Sequence, residues 1–204
     1  VAVLQEAQAR GIPVVPQGAR TSLTGASCAT EGALVLNVEN LGGIDIDPVE
    51  GHARVGPGVV TDELKAAARQ VGLFYPPDPA SADTCTVGGN IATNAGGLCC
   101  VKYGVTADHV KALEVVLAGG ERIRTGKRTA KGVAGYDLTG LFVGSEGTLG
   151  VVTSALVRLI PAPDPPLTAL ATFDTLEDAV AGVLALRADR HRPSLVEFLD
   201  RASI

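Results

Sequence analysis

The chain has 204 residues, 46% of them apolar, and a formal net charge of −5 with no long block of either sign. That is enough for one large domain or one domain and part of another, with a sizeable core. The charge balance argues against a general nucleic-acid surface or an anionic-membrane surface, and leaves small molecules and protein partners open.

The core must be aliphatic, because there is no Trp, and only four Phe and three Tyr. The sequence contains no Met and so no initiator. It opens and closes abruptly and reads as a piece of a longer protein, whose missing start would hide any signal peptide. No apolar run approaches the roughly 18 to 20 residues of a membrane span. Cys28, Cys85, Cys99 and Cys100 fit neither zinc-ligand nor CxxC spacing, which predicts reduced thiols in a cytosolic protein.

In chain order, Val3 to Ala9 has helical spacing and stops at Gly11. Ile12 to Val15 reads as a β-branched strand, and Ala33 to Val38 as a second strand. Ala53 to Val55 is strand-like. Thr61 is the predicted N-cap of a helix carrying Asp62 and Glu63 in its first turn and running past Ala68 towards Gly72. "YPPDPASADTC" is a rigid loop. "VKALEVVLAGGERIRT" predicts a hairpin turning at Gly119-Gly120. "LFVGSEGTLGVVTSALVRLIP" predicts two more strands, or a strand and its return. The composition shift at Pro161 to Pro166 marks a domain boundary. Beyond it the pattern predicts a strand, a helix capped by Thr175 with Glu177 and Asp178 in its first turn, and a further strand from Pro193.

Three glycine-rich stretches stand out: Pro16 to Ser27, Thr86 to Gly97, and Gly144 to Gly150. Glycine lets backbone N–H groups converge on an anion and lets a ligand lie on the main chain. Ser22, Thr24 and Ser27 add hydroxyls, a combination suited to a diphosphate. No G-K-[ST] follows, and no GxGxxG opens a βαβ unit, so the expected ligand is a nucleotide or dinucleotide held in a non-Rossmann way. Arg20 is either a cation for that diphosphate or a solvated side chain. Lys102 and Lys131 read better as facing water. Asp137 reads as a cap or turn residue, and His52, His109 and His191 as structural or surface residues without metal spacing.

"PQGARTSLTGAS", "PPDPASADTCTVGGNIATNAGG", "KYG", "GYDL" and "GSEGTLGVVT" occur in an order that resembles the FAD-linked oxidases of the vanillyl-alcohol oxidase type. The closest likeness is to the branch of glycolate oxidase FAD subunits, D-lactate dehydrogenases and D-2-hydroxyglutarate dehydrogenases. The resemblance runs from Gly11 to about Pro161 and weakly beyond. It implies an α+β fold: a PCMH-type FAD-binding domain of two α/β subdomains over residues 1–162, then the start of an α/β substrate (cap) domain over 163–204.

The resemblance also implies roles. Gly18, Ala19, Arg20, Thr21 and Ser22, with Thr24 and Gly25, would wrap the FAD pyrophosphate. Gly88, Gly89 and Asn90 would lie beside the pyrophosphate and ribityl chain. Thr93, Asn94 and Gly96 would approach the isoalloxazine, and Pro77 and Asp78 would position the loop. Glu146, with Gly147 and Val151, would lie near the adenine. The first loop has no His, which implies non-covalent FAD. Ala26 stands where many relatives carry a second Gly, an unfavourable exchange if that position needs φ > 0.

The implied reaction is oxidation of a D-2-hydroxyacid (glycolate, D-lactate or D-2-hydroxyglutarate) by hydride transfer to flavin. Oxygen, a quinone or a protein partner would take the electrons. The catalytic groups would lie outside this chain, and so would any metal ligands. The implied place is the cytoplasm, the membrane periphery included, with room for partner subunits. Two alternatives stay open: a flavoprotein of the same fold acting on another alcohol or a sugar, and a nucleotide-binding subunit without turnover.

Overall fold

A computed structural model of the chain describes residues 1–129, 131–189, 192–200 and 202–203. His191 lies outside the described residues. Helix α1 (Ala2–Ala9) leads into β1 (Val14–Gln17), which pairs in parallel with β2 (Leu34–Asn37). A parallel pair needs a crossover between its strands, and the Gly/Ser/Thr segment between Gln17 and Leu34 makes that crossover as a long loop instead of a helix.

A five-stranded sheet follows. It contains β3 (Ile44–Asp47), β4 (His52–Val55), β6 (Val110–Val116), β7 (Arg122–Gly126) and β8 (Val151–Arg158), in the order β3-β4-β8-β6-β7 and antiparallel throughout. The short strands β5 (Leu73–Phe74) and β9 (Ile160–Pro161) form a separate antiparallel pair. The hairpin β6–β7 turns at Gly119-Gly120 as the sequence predicts, with Val116 opposite Arg122.

One face of the five-stranded sheet carries the main core. Ala53, Val55, Leu113, Val115, Ala155 and Val157 of the sheet pack against helices α2 (Thr61–Gln70), α3 (Val87–Thr93) and α5 (Leu138–Phe142). α2 inserts Leu64 and Ala68, both fully buried. Burying a leucine of this kind contributes about 2 kcal/mol. α3 inserts Val87 and Ile91, and α5 inserts Phe142. A smaller cluster of Leu4, Val38, Val116 and Val151 ties α1, β1 and β2 to the ends of β6 and β8. Two packed layers thus meet along one seam, where β1 ends, α3 begins and β8 starts.

Several expectations need correction. β3 is absent from the sequence reading; its Ile-Asp-Ile-Asp alternation is an edge strand half-buried on one face. Thr61 is not the N-cap of α2: Val60 holds that place, and the Thr61 hydroxyl is buried, donating to the Cys85 carbonyl at 3.2 Å. Leu141 and Phe142 belong to α5 and not to a strand. Residues 167–173 and 192–199 carry no strand, because no neighbouring segment among the described residues offers them a ladder. The helix between them, α6 (Leu176–Ala188), forms as predicted. Thr175 accepts from the Asp178 N–H at 3.1 Å, and Glu177 and Asp178 lie in the first turn. A four-residue helix, α4 (Cys100–Tyr103), completes the set. Among the described residues no helix is long and apolar enough to cross a membrane.

Candidate functional site

The seam between the two layers opens into a cleft of about 430 Å³. Its walls are the three glycine-rich stretches. The first leaves β1 at Gln17. The Gln17 side chain is buried, and its Nε2 donates to the Ser27 carbonyl at 2.6 Å, so the stretch closes on itself as a compact loop. Within it Ser22 and Thr24 share a hydroxyl contact at 3.2 Å, and the Thr24 N–H donates to Ser22 Oγ at 3.3 Å. Gly18, Ala19, Arg20, Thr21, Ser22 and Thr24 all line the cleft.

Gly25 takes φ +83° and does not line the cleft. Ala26 is not among the described residues with positive φ. The left-handed turn is thus made by Gly25, and the Ala26 methyl carries no backbone penalty.

The second stretch is only partly a loop. Its first half is α3, capped by Thr86, whose hydroxyl accepts from the Gly89 N–H at 3.3 Å. Gly88 and Gly89 both line the cleft, and Gly88 has a second task. A Cβ on Gly88 would stand 2.5 Å from Pro57 Cβ, so Gly88 permits close packing of α3 on the Pro57 turn. Gly89 lies on the cleft wall beside Thr93 and Gly96.

Asn90 is on the cleft lining but only 3% exposed, and its side-chain amide donates to Thr61 Oγ1 at 2.7 Å. Asn94 ends α3 in the left-handed region at φ 48°, and its Oδ1 accepts from the Ala107 N–H at 2.9 Å. It stands outside the cleft lining, as do Pro77 and Asp78. Pro77 is buried, and Asp78 pairs with Lys65.

The third stretch joins α5 to β8. The Gly144 N–H donates to the Ile91 carbonyl at 2.9 Å and the Glu146 N–H to the Ala92 carbonyl at 2.7 Å, which sews this loop to the end of α3. Glu146, Gly147 and Val151 line the cleft. Among the described residues the positive-φ positions other than glycine are Arg20, Asn94 and Glu146, one in each stretch. Such conformations cost on the order of 1–3 kcal/mol each and gather at ligand sites.

Sequence reasoning missed Gln17, Thr86 and Pro57. Thr86 carried a usable signal, a threonine directly before a helix, hidden by the glycines that make the segment look like pure loop.

The remaining polar residues are structural. His109 is 1% exposed, its Nε2–H donates to the Tyr103 carbonyl at 2.9 Å, and burial pushes its pKa down. His52 is buried in β4. Tyr75 is fully buried, and its phenol is pushed up by that burial and by Cys85 nearby. Asp137 caps α5, accepting from the Gly140 N–H at 2.9 Å. Lys102 and Lys131 are exposed. All four cysteines are free thiols.

The family described as FAD binding domain matches residues 1–126. The glycolate oxidase subunit GlcD of Bacillus subtilis (strain 168) is 50% identical over 95% of this chain and 41% of that protein. A D-2-hydroxyglutarate dehydrogenase of Xanthomonas citri pv. viticola is 41% identical over 98% of this chain and 43% of that protein. A D-lactate dehydrogenase of Anaerostipes hadrus is 38% identical over 98% and 42%. The chain thus spans less than half the length of these curated relatives. Among solved structures, an alkyldihydroxyacetonephosphate synthase superposes with a TM-score of 0.80 at 23% identity, covering 95% of this chain and 36% of that one; this likeness speaks for the fold.

Proposed function

The chain belongs to the family of FAD-binding domains, and on that premise we propose that the protein oxidises a D-2-hydroxyacid with FAD held non-covalently in the cleft. FAD, when bound, supplies the acceptor for the hydride equivalent that leaves the hydroxyl-bearing carbon.

One observation carries the assignment of the cleft. Among the described residues, the backbone N–H groups of Gly18, Ala19, Arg20, Thr21 and Ser22 donate to no protein acceptor. The left-handed turn at Arg20 lies in the middle of this run. Successive free N–H groups around an αR–αL turn form an anion-binding concavity. Arg20 is the cation of the cleft lining, and the Ser22 and Thr24 hydroxyls stand beside it. This donor set suits a diphosphate.

The glycine-lined wall at Gly89 and Gly96 offers main chain without side chains, which suits a flat ring system or a ribityl chain. Gly88 and Asn90 would add to that wall, and Asn94 would act at one remove, by fixing the C-terminal turn of α3. Thr93, Glu146, Gly147 and Val151 would complete the wall. The first loop holds no His, which favours a non-covalent cofactor.

The chain's own work is to bind and orient the cofactor. We assign residues 1–162 to that task and 163–204 to the beginning of a substrate domain. The hydroxyacid reading rests on relatives named as a glycolate oxidase subunit, a D-lactate dehydrogenase and a D-2-hydroxyglutarate dehydrogenase. The subunit in the first of these names favours partner chains, and a cytoplasmic setting fits four free thiols.

The test is anaerobic mixing of the flavin-loaded protein, at its natural length, with glycolate, D-lactate and D-2-hydroxyglutarate. Bleaching of the flavin by one of them supports the reading. Bleaching by dithionite alone would contradict it.

A further inference from the structure

Lys65 stands in the middle of α2 and is 5% exposed. A buried ammonium without a partner costs several kcal/mol. Among the described residues its partner is Asp78, whose carboxylate receives the Lys65 ammonium directly. The lysine side chain is 7% exposed and the aspartate side chain 33%. The pair thus runs from the buried side of α2 out to the residue just before the cleft-lining Pro79–Ser81 segment.

Asp78 is where two lips of the cleft meet. Its carbonyl accepts from the Leu98 N–H at 3.3 Å. A Cβ placed on Gly97 would fall 2.0 Å from that same carbonyl oxygen, so the two segments touch backbone to backbone. Its other carboxylate oxygen lies 4.0 Å from Cys99 Sγ. Pro79, Ala80 and Ser81, which follow directly, line the cleft from one side; Gly96 and Gly97 line it from the other. α2 is rigid, because Leu64 and Ala68 on the same helix are fully buried in the main core.

We infer that Lys65 is a positioning residue for the cofactor: through Asp78 it holds the Pro79–Ser81 and Gly96–Gly97 lips at the spacing that receives FAD. The inference rests on the reading of the cleft as the FAD site. Lys65 touches neither cofactor nor substrate and acts only through Asp78.

The test uses the protein at its natural length, stripped of flavin and titrated with FAD by fluorescence quenching. The variants are Lys65→Met, Asp78→Asn and the two together, with thermal unfolding of each apo-protein measured in parallel. Each single variant is expected to raise the FAD Kd about tenfold. The double variant is expected to raise it no further than the larger single effect, because both residues act through one junction. The thermal midpoint should fall most in Asp78→Asn, which leaves the buried Lys65 ammonium without its carboxylate, and recover in the double variant, where that charge is gone, while the affinity stays weak.

Lys65→Met keeps the test available where Asp78→Asn fails to fold. Folded variants that bind FAD as the wild type does would overturn the inference and leave the cofactor reading intact. Affinity that recovers together with stability in the double variant would also overturn it, reducing the pair to a structural one. Wild-type protein that takes up no FAD would remove the cofactor reading and the inference with it.

Discussion

The backbone N–H of Glu146 donates to the carbonyl of Ala92 at 2.7 Å, with Glu146 itself at φ 53°. Through this bond the loop before β8 becomes one wall with the end of α3. Glu146→Pro removes the donor and demands a φ near −65°, which the turn cannot adopt. We expect a loss of about 3 kcal/mol or more and a protein that no longer retains flavin on gel filtration. Thermal unfolding together with the flavin-to-protein ratio checks this.

Arg20 stands at φ 58° on the cleft rim, exposed and without an ion-pair partner among the described residues. Holding an arginine in the left-handed region costs about 1 kcal/mol that a glycine avoids. Arg20→Gly should therefore leave the apo-protein as stable or slightly more stable, while weakening FAD binding about tenfold. The salt dependence of the Kd should flatten as well. Opposite signs for stability and affinity are the signature to look for.

Gly18 faces Thr86 across the cleft floor, and a Cβ there would lie 2.5 Å from Thr86 Oγ1. Gly18→Ala forces the hydroxyl away from the Gly89 N–H, costing about 1–3 kcal/mol from overpacking and the lost cap. Gly18→Ala combined with Thr86→Ala removes the clash, so the double variant should be less destabilised than the sum of the singles. Urea unfolding of the four proteins completes the cycle.

Burial lowers the pKa of His109, while Arg158 and Asp108 act on it in opposite senses. The folded value lies below the ordinary His value near 6.5, so the unfolded chain binds the proton first as pH falls. Stability is therefore intact above about pH 6.5 and declines as the pH drops from there towards the depressed folded pKa. Replacing His109 with Gln should lower the midpoint at neutral pH and flatten its decline between neutral and mildly acidic pH. Thermal unfolding across that range measures both.

Much of the scaffold was legible because local chemistry decided it. The hairpin at Gly119-Gly120 and the caps Asp137 and Thr175 use side chains or backbone freedom that act within a few residues. The site was legible as a set of glycine-rich stretches, and the cleft gathers most of the residues named from them. What stayed hidden depends on which way a short helix faces. Asn90 and Asn94 look alike in sequence, yet Asn90 lines the cleft with its amide tied to Thr61, while Asn94 stands outside it and accepts from Ala107. Gly88 lines the cleft as Gly89 does, but it also answers to Pro57, thirty-one positions away in the chain. Lys65 reads as an ordinary helical lysine until α2 buries it against Asp78. β3 escaped because its alternating aspartates mask a four-residue edge strand.

The central claim is that the three stretches form one site for non-covalent FAD. The most direct test is the visible absorption spectrum of the purified protein at its natural length, recorded before and after denaturation and removal of the polypeptide. A flavin spectrum that passes wholly into the supernatant as FAD is the predicted result. Flavin that stays with the precipitated chain would contradict the non-covalent reading. A colourless protein that takes up no added FAD would contradict the site itself.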